Sequence, residues 1–376
     1  VVHPLLLAYD AMVCLMALLN RWLWPRLQTS EHRAMDERRA PRGEEARRAP
    51  RMAILVPARN ESHQISACLD ALLHATPPSA TIIVLDDESS DDTWARLSAL
   101  RRATDRDLRV VRGRPRPPGW RGKNWACAQL ADHASDADIL VFVDADTRLV
   151  PGAAERLAQE MVDQRWEMAS VFPRQEARRL AALLVYLFPW SLVAHAPLFV
   201  QRWRRRALPV AVGQVIAFQR SAYASLGGHA GVKGEIAEDL ALARKAARRK
   251  MAGAVIDGAS SASCTMYTSW GQAWRGFQKN WCFTVGHPMI SCLVWAWLAY
   301  AFGWLPLCGL AEACLGHVNV AALLQWPAVL WIGACAKRHV RMPIWVLFTA
   351  PVSAVLGFVL AVDSWIHQVR DTTIWS

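Results

Sequence analysis

Long apolar runs stand at both ends of this chain and leave its middle polar, and that arrangement limits the fold more than any single motif. Val1 to Asn20 is apolar except for His3, Asp10 and the closing Asn20. A helix needs roughly 20 residues at 1.5 Å each to cross about 30 Å of hydrocarbon. Arg21, Trp22, Trp24 and Arg26 follow at once, as interfacial anchors do. No small-residue cleavage site follows, so residues 1–24 read as a retained transmembrane anchor rather than a signal peptide. Three more apolar runs, Met289–Ala311, Val318–Ala336 and Met342–Trp365, predict about three transmembrane helices over residues 289–376. The 53% hydrophobic content and the 19 Trp against five Tyr agree with a bilayer protein.

Charge orients these spans. The link before the last run carries Lys337, Arg338, His339 and Arg341, the link before it carries no Lys or Arg, and the segment after the first run is arginine-rich. Under the positive-inside rule the region 21–288 and the 337–341 loop lie inside, and both ends of the chain lie outside. Leu180–Val200 is a fifth apolar run, broken by Pro189 and Pro197. A full span there would put Asp144 and the later acidic residues on opposite sides of the membrane. Residues 180–206 are therefore expected to form an interfacial or re-entrant segment, with Arg202, Arg204, Arg205 and Arg206 on lipid headgroups, the alternative being an ordinary buried helix. Residues 25–50 read as a polar linker. The net charge of +11 fits anionic lipid or a polyanionic small substrate. Nucleic acid is not expected as a partner, since neither zinc-finger spacing nor an aromatic-basic RNA signature is present. Nine scattered cysteines with no C-x-x-C pair read as buried thiols in a reducing compartment.

Residues 51–288 read as the catalytic domain. Met52–Pro57, Thr81–Leu85, Leu108–Val111 and Ile139–Val143 are short apolar or β-branched runs separated by helical stretches, an α/β order with a mostly parallel, Rossmann-like sheet. Ser89 or Ser90 is expected to cap a helix whose first turn holds Asp91 and Asp92. In such sheets ligands sit beyond the carboxyl ends of the strands. Pro57-Ala58-Arg59-Asn60-Glu61, Asp86-Asp87 and Asp144-Ala145-Asp146 all fall there. One D-x-D occurs often by chance; three polar clusters at successive strand ends do not.

Each cluster suits a chemistry. Asp144 and Asp146, two apart, face one side of an extended stretch and suit Mg²⁺ or Mn²⁺ bridging a diphosphate. Asp86 and Asp87 can accept hydrogen bonds from a nucleoside. Lys123 can approach a base or a phosphate, or be a plain surface lysine. Glu238-Asp239 opens a helix over Asp239–Lys250, where acids suit the dipole. The preceding Gly227, Gly228, Gly231 and Gly234 would let backbone come close to a substrate, and Asp239 is the chosen general base.

Taken together, Pro57–Glu61, Asp86-Asp87-Glu88-Ser89-Ser90-Asp91-Asp92-Thr93, Asp144-Ala145-Asp146 and Glu238-Asp239 resemble family 2 glycosyltransferases. The resemblance covers roughly Arg51–His287. Trp120-Arg121-Gly122-Lys123-Asn124-Trp125-Ala126, Gly213-Gln214, Gly227-Gly228-His229 and Gly276-Phe277-Gln278-Lys279-Asn280 bring it nearer a membrane subgroup. That subgroup includes hydroxychlorobactene glucosyltransferase and diaponeurosporenoate glycosyltransferase. The resemblance implies a GT-A fold, a nucleotide-sugar donor (commonly UDP-linked), a divalent metal, Mg²⁺ or Mn²⁺, and inversion at the anomeric carbon. It implies that Pro57, Arg59, Glu61, Asp86, Asp87, Lys123, Asp144 and Lys279 hold the donor, and that Asp144 and Asp146 serve the metal. It makes Asp239 the base with Glu238 beside it, and puts Gln214, His229 and Trp281 near the acceptor. The processive synthases of the family carry Gln-x-x-Arg-Trp where this chain reads Phe277-Gln278-Lys279-Asn280-Trp281. Without the arginine, addition of a single sugar is expected, to a membrane-dissolved lipid such as a carotenoid or other polyprenoid. The expected site is the cytoplasmic face of an inner membrane. A processive polysaccharide synthase and a non-catalytic membrane scaffold are the alternatives. Trp274, Phe277 and Trp281 can equally form an apolar helix face lying on the membrane.

Overall fold

The computed structural model describes residues 4–27, 50–177, 179–204 and 206–370. Most of the expected linker, together with His3 and Arg205, lies outside those residues. The chain divides into two compact units. One comprises residues 25–174 and 201–264; the other comprises 1–24, 175–200 and 265–376. Residues 265–288, read from sequence with the catalytic segment, therefore cluster with the C-terminal helices.

The first unit is built on an eight-stranded sheet. Its strands are β1 (Met52–Ala58), β2 (Thr81–Asp86), β3 (Leu108–Arg112), β4 (Ile139–Val143), β5 (Thr147–Leu149), β6 (Met168–Gln175), β7 (Val215–Gln219) and β8 (Gly253–Cys264), in the order β3-β2-β1-β4-β7-β6-β8-β5. The first four are mutually parallel. From β7 onward the sheet turns antiparallel, with β7 paired antiparallel to both β4 and β6. β1, β2 and β4 are buried on both faces, which is why they read as unbroken apolar runs instead of alternating ones, while the edge strand β3 carries exposed arginines. Alternate side chains of β1 enter opposite cores. Ile54 and Val56 pack with Ile65, Leu69 and Leu72 of α2 (Ile65–Ala75), while Ala53 and Leu55 pack with Ala126, Cys127 and Leu130 of α4 (Gly122–His133). Burying each such Ile or Leu contributes roughly 1.5–3 kcal/mol. The remaining helices of this unit are α3 (Thr93–Arg102), α5 (Ala153–Asp163), α8 (Arg220–Leu226) and α9 (Glu238–Arg248). Pro25–Leu27, the described start of the expected linker, is fastened to β8. Leu27 N–H donates to Asp257 O at 3.1 Å, Asp257 N–H donates to Pro25 O at 2.8 Å, and Arg26 pairs with the Asp257 carboxylate at 3.2 Å.

The second unit is helical. Three of its helices are long and apolar enough to cross a membrane: α1 (Pro4–Leu23), Pro288–Cys314 and Ile344–Val369. The middle C-terminal run does not form one uninterrupted helix. It divides into Val320–Leu323 and Gln325–Val340, because Pro327 has no N–H for the Leu323 carbonyl. The 16-residue second piece is about 24 Å long. The same rule breaks the fifth apolar run. Pro189 leaves the Val185 carbonyl without its partner, giving α6 (Ala181–Val185) and α7 (Leu187–His195), and α7 ends just before Pro197. Most side chains of α6 and α7 are buried. The Asn20 amide donates to Val193 O and Ala196 O, both at 2.8 Å. Asp10, costly inside lipid without a partner, accepts a hydrogen bond from Gln325 at 2.8 Å. Trp24, read as an interfacial anchor, is buried against His339, while Trp22 stays exposed under Arg21 and Arg338. All nine cysteines are free.

Candidate active site

The carboxyl ends of the parallel strands carry the three clusters to one sheet edge, since Ala58 lies opposite Asp86 and Asp86 opposite Arg112. β7 runs the other way, so its start lies at that edge too. Asp144 N–H donates to Gln214 O at 3.0 Å. This antiparallel crossing brings Gly213 and Gln214 beside the D-x-D.

Lys123, in the first turn of α4, lies at the centre. Its ammonium is 2.8 Å from Asp144 Oδ1, 3.0 Å from Oδ2 and 2.9 Å from Glu238 Oε1. The surface-lysine reading is thereby replaced by a partly buried three-centre ion pair. Asp239 is next to it. Its Oδ1 accepts the Leu240 N–H at 2.7 Å. A Cβ at Gly213 would come within 3.2 Å of Lys123 Nζ and 3.3 Å of Asp239 Oδ2. Gly213 thus leaves room where the base and the ammonium face one pocket. Pro57, Cys127, Phe142, Asp144 and His229 also line that pocket.

Electrostatics separates the two acids of α9. Burial pushes Glu238 up, but Lys123 outweighs it and holds the group below its ordinary range. Burial and then the Glu238 charge push Asp239 up to about 7, against the pull of Lys123. Glu238 is committed to the ion pair, and Asp239 is poised to take a proton near neutrality. Burial likewise raises Asp144, with Lys123 opposing. Burial, reinforced by Asp146 and Asp144, pushes Glu61 up to about 7. Glu61, Asp144 and Asp146 therefore feel one another's charge. Among the described residues no three His, Cys, Asp or Glu side chains form a ready metal cage.

Asp86 is buried, and among the described residues its Oδ1 has no hydrogen-bond partner, an arrangement that invites a donor from a ligand. Asp87 faces Arg59 at 3.6 Å. Neither Ser89 nor Ser90 caps the helix, and Asp91 and Asp92 lie before its first turn instead of in it. α3 starts at Thr93, and Asp92 caps it without a side-chain bond. Asp91 instead accepts from Ser62 N–H at 3.1 Å and Thr93 N–H at 3.0 Å, Ser89 Oγ accepts Asn60 N–H at 3.0 Å, and Asn60 Oδ1 accepts Ser90 N–H at 2.8 Å. These side chains sew the loop after β1 to the loop after β2.

His229 is buried. Tyr223 Oη accepts its backbone N–H at 3.1 Å and donates to its Nδ1 at 2.8 Å, and burial pushes the ring down to about 4, so it is neutral. Two of the glycines before Glu238 are required by packing. A Cβ at Gly228 would lie 2.5 Å from the Tyr223 ring, and one at Gly231 would lie 2.8 Å from Leu226 O. Asn124 clamps the same loop through Val232 O at 2.6 Å and Glu235 O at 3.1 Å.

Lys279 and Trp281 belong to the helical unit. Trp281 is buried, donates its indole N–H to Gly357 O at 3.0 Å and stacks on Trp295 at 4.7 Å. Phe277 is buried as well, and Trp274 donates to Asp363 at 2.8 Å. That apolar face is turned into the protein instead of lying on lipid. Burial pushes the Lys279 ammonium down.

Sequence reasoning passed over Gly213, Asn124, Cys127 and Asp91 as site residues. Gly213 and Asn124 stood inside quoted motifs. The signal for Asp91 was its spacing of two from Thr93, which suits a side-chain turn.

Comparison with known proteins agrees with this geometry. Residues 53–225 match the model for Glycosyl transferase family 2. The 4,4'-diaponeurosporenoate glycosyltransferase of Staphylococcus aureus (strain USA300) is 28% identical over 233 residues, 61% of this chain and 59% of that relative. The match thus spans less than two thirds of the relative's length. Among solved structures, the mannosyltransferase PcManGT from Pyrobaculum calidifontis, in complex with GDP-Man and Mn²⁺, superposes with a TM-score of 0.57 at 19% identity, covering 98% of this chain and 99% of that one. TarS 1–349 of S. aureus gives a TM-score of 0.40 at 14% identity, covering 87% of this chain and 93% of that one. Residues 53–225 thus carry the sequence pattern of the family 2 glycosyltransferase model, on a sheet of GT-A fold.

Proposed function

We propose that this protein transfers one sugar, with inversion, from a nucleotide-diphospho-sugar to a hydroxyl group of a membrane-dissolved lipid such as a carotenoid or other polyprenoid. One observation carries the mechanism: Asp239 and Glu238 are adjacent, but only Glu238 is neutralised by Lys123. In the proposed step Asp239 Oδ2 takes the acceptor's proton as the acceptor oxygen bonds to the anomeric carbon. The bond from that carbon to the diphosphate breaks, and nucleoside diphosphate leaves. Lys123 holds Glu238 ionised beside the base and keeps Asp144 in place. Asp86, with its unfilled acceptor, and Asp87, held by Arg59, receive the nucleoside.

Asp144 and Asp146 are hard oxygen donors. Mg²⁺ commonly takes one or two carboxylates plus substrate phosphates rather than a full protein cage, and this donor set fits such an ion. When bound, the metal offsets charge on the departing diphosphate. The Mn²⁺ in the PcManGT complex supports this reading. A lipid acceptor is supported by the three membrane-length helices and by the name of the S. aureus relative, a diaponeurosporenoate glycosyltransferase. The basic 337–341 link and the arginines after α1 support a catalytic unit on the cytoplasmic side of an inner membrane.

The test is release of nucleoside diphosphate by the purified full chain given nucleotide-sugar, Mn²⁺ and a lipid extract, with mass spectrometry of the lipids. One added hexose per acceptor is expected. Release no greater than that of Asp239→Asn would overturn the proposal, and long polymer would replace it with processive synthesis.

A further inference from the structure

The helical unit contains a cavity of about 390 Å³ lined by Glu176, Arg179, Thr265, Tyr267 and Thr268. That volume is within the range of small-molecule sites, roughly 300–1,000 Å³. Its walls are polar-tipped, which an all-hydrocarbon ligand does not need. Glu176 accepts from the Thr265 hydroxyl at 3.3 Å, and Thr268 donates both its N–H (3.1 Å) and its O–H (2.8 Å) to Gln272 Oε1. Tyr267 forms an aromatic wall. It packs edge-on to Phe277 at 5.1 Å and lies across Gly276, where any Cβ would overlap its ring and hydroxyl. Glycine at 276 is thus the condition for this wall.

Arg179 differs from its neighbours. Its backbone is left-handed, φ 54°, an uncommon conformation for a non-glycine residue that is worth explaining at a ligand site. Among the described residues no hydrogen bond or ion pair takes up its guanidinium, whereas Glu176 is already engaged. The cavity therefore presents guanidinium donors still to be filled, beside a carboxylate that already accepts a hydrogen bond. Leu180, the next residue, is 61% exposed. The cavity thus combines a guanidinium, a hydroxyl and carboxylate pair and an aromatic wall, and the residue next in sequence to Arg179 is an exposed leucine.

We infer that this cavity binds the head of an amphiphile carrying one anionic oxyacid group and hydroxyls, with Arg179 on the anion, Glu176 and Thr265 on the hydroxyls and the tail leaving past Leu180. The inference rests on the lipid-acceptor reading above and narrows it to anionic, hydroxylated heads. Phosphatidylglycerol has this chemistry and serves as the probe. The full chain is exchanged into nanodiscs of mixed phosphatidylglycerol and phosphatidylcholine, released, and its retained lipid counted by native mass spectrometry. At least tenfold preference for phosphatidylglycerol is expected in the parent chain and in Asp239→Asn. The preference is expected to be lost in Arg179→Gln and mostly regained in Arg179→Lys. Equal retention of the two lipids, or an unchanged preference in Arg179→Gln, overturns the site. Displacement by sn-glycerol 3-phosphate as effective as that by the whole lipid overturns the amphiphile and makes the ligand a soluble phosphate. The transferase reading is judged by nucleoside diphosphate release alone, so either conclusion can fail while the other stands.

Discussion

Replacing Lys123 by Met isolates the interaction on which the site is built. The ammonium lies 2.8 Å from Asp144 and 2.9 Å from Glu238. At an effective dielectric of 20 each contact has a gross attraction of roughly 6 kcal/mol. Desolvation cancels much of that, and water reaches Asp144, whose side chain is 26% exposed. Glu238, 10% exposed, gains the most from the pair and loses the most without it. Removing one partner of such a pair leaves a buried charge and costs about 3 kcal/mol, or roughly 6–12 °C in Tm for a unit of this size. The pH dependence follows from sign. Burial raises Glu238, yet Lys123 depresses it overall, so the pair's stability is present above the ordinary carboxylate pKa and is lost as pH falls through the depressed one. In Lys123→Met the main opposition to burial is gone and the folded pKa is expected to rise above the unfolded value, so the defect is full near pH 8 and shrinks toward about pH 4. Thermal unfolding of the full chain, followed by tryptophan fluorescence at both pH values, measures this. Glu238→Gln added to Lys123→Met is expected to restore about 1.5 kcal/mol at pH 8. An equal Tm loss at both pH values, with no recovery in the double variant, would refute the ion-pair account.

Three further outcomes follow from the same geometry. Turnover is expected to rise as pH increases through about 7, where Asp239 loses its proton, and Asp239→Asn is expected to lower kcat by about 10³ and abolish that limb; a pH–rate profile checks both. Gly228→Ala places a Cβ 2.5 Å from the Tyr223 ring at a positive φ, and thermal unfolding is expected to show a loss of about 2–3 kcal/mol. Asp146→Ala is expected to weaken Mn²⁺ binding in the presence of nucleoside diphosphate at least tenfold, read from the free Mn²⁺ paramagnetic resonance signal, without lowering Tm.

The parallel half of the sheet was legible because its signal is local. β1, β2 and β4 are apolar runs closed by polar clusters, β3 is a short stretch with paired valines, and each of the four formed within a residue or two of its expected bounds. The carboxylates at those ends were legible for the same reason. The Asp91 stitching and the burial of Trp281 were not, because both depend on partners distant in sequence, Ser62 in one case and Gly357 with Trp295 in the other. The prolines that break the fifth and middle C-terminal runs were visible, but only Pro189 and Pro197 were read as breaks. Pro327 has the same effect on its own run.

By itself the sequence determined the membrane-length helices at both ends, the α/β core and the set of acids at the strand ends. These follow from hydrophobic run length, periodicity and turn chemistry, which act over a few residues. Only the tertiary structure decided how the acids are shared out. β7 returns antiparallel beside β4 and brings Gly213 to the D-x-D, and α4 and α9 meet so that Lys123 reaches Asp144 and Glu238 together. A carboxylate becomes a base or a counter-ion according to the charge and water around it. Those are properties of the packed site, so the difference between Glu238 and Asp239, neighbours in sequence, exists only after folding.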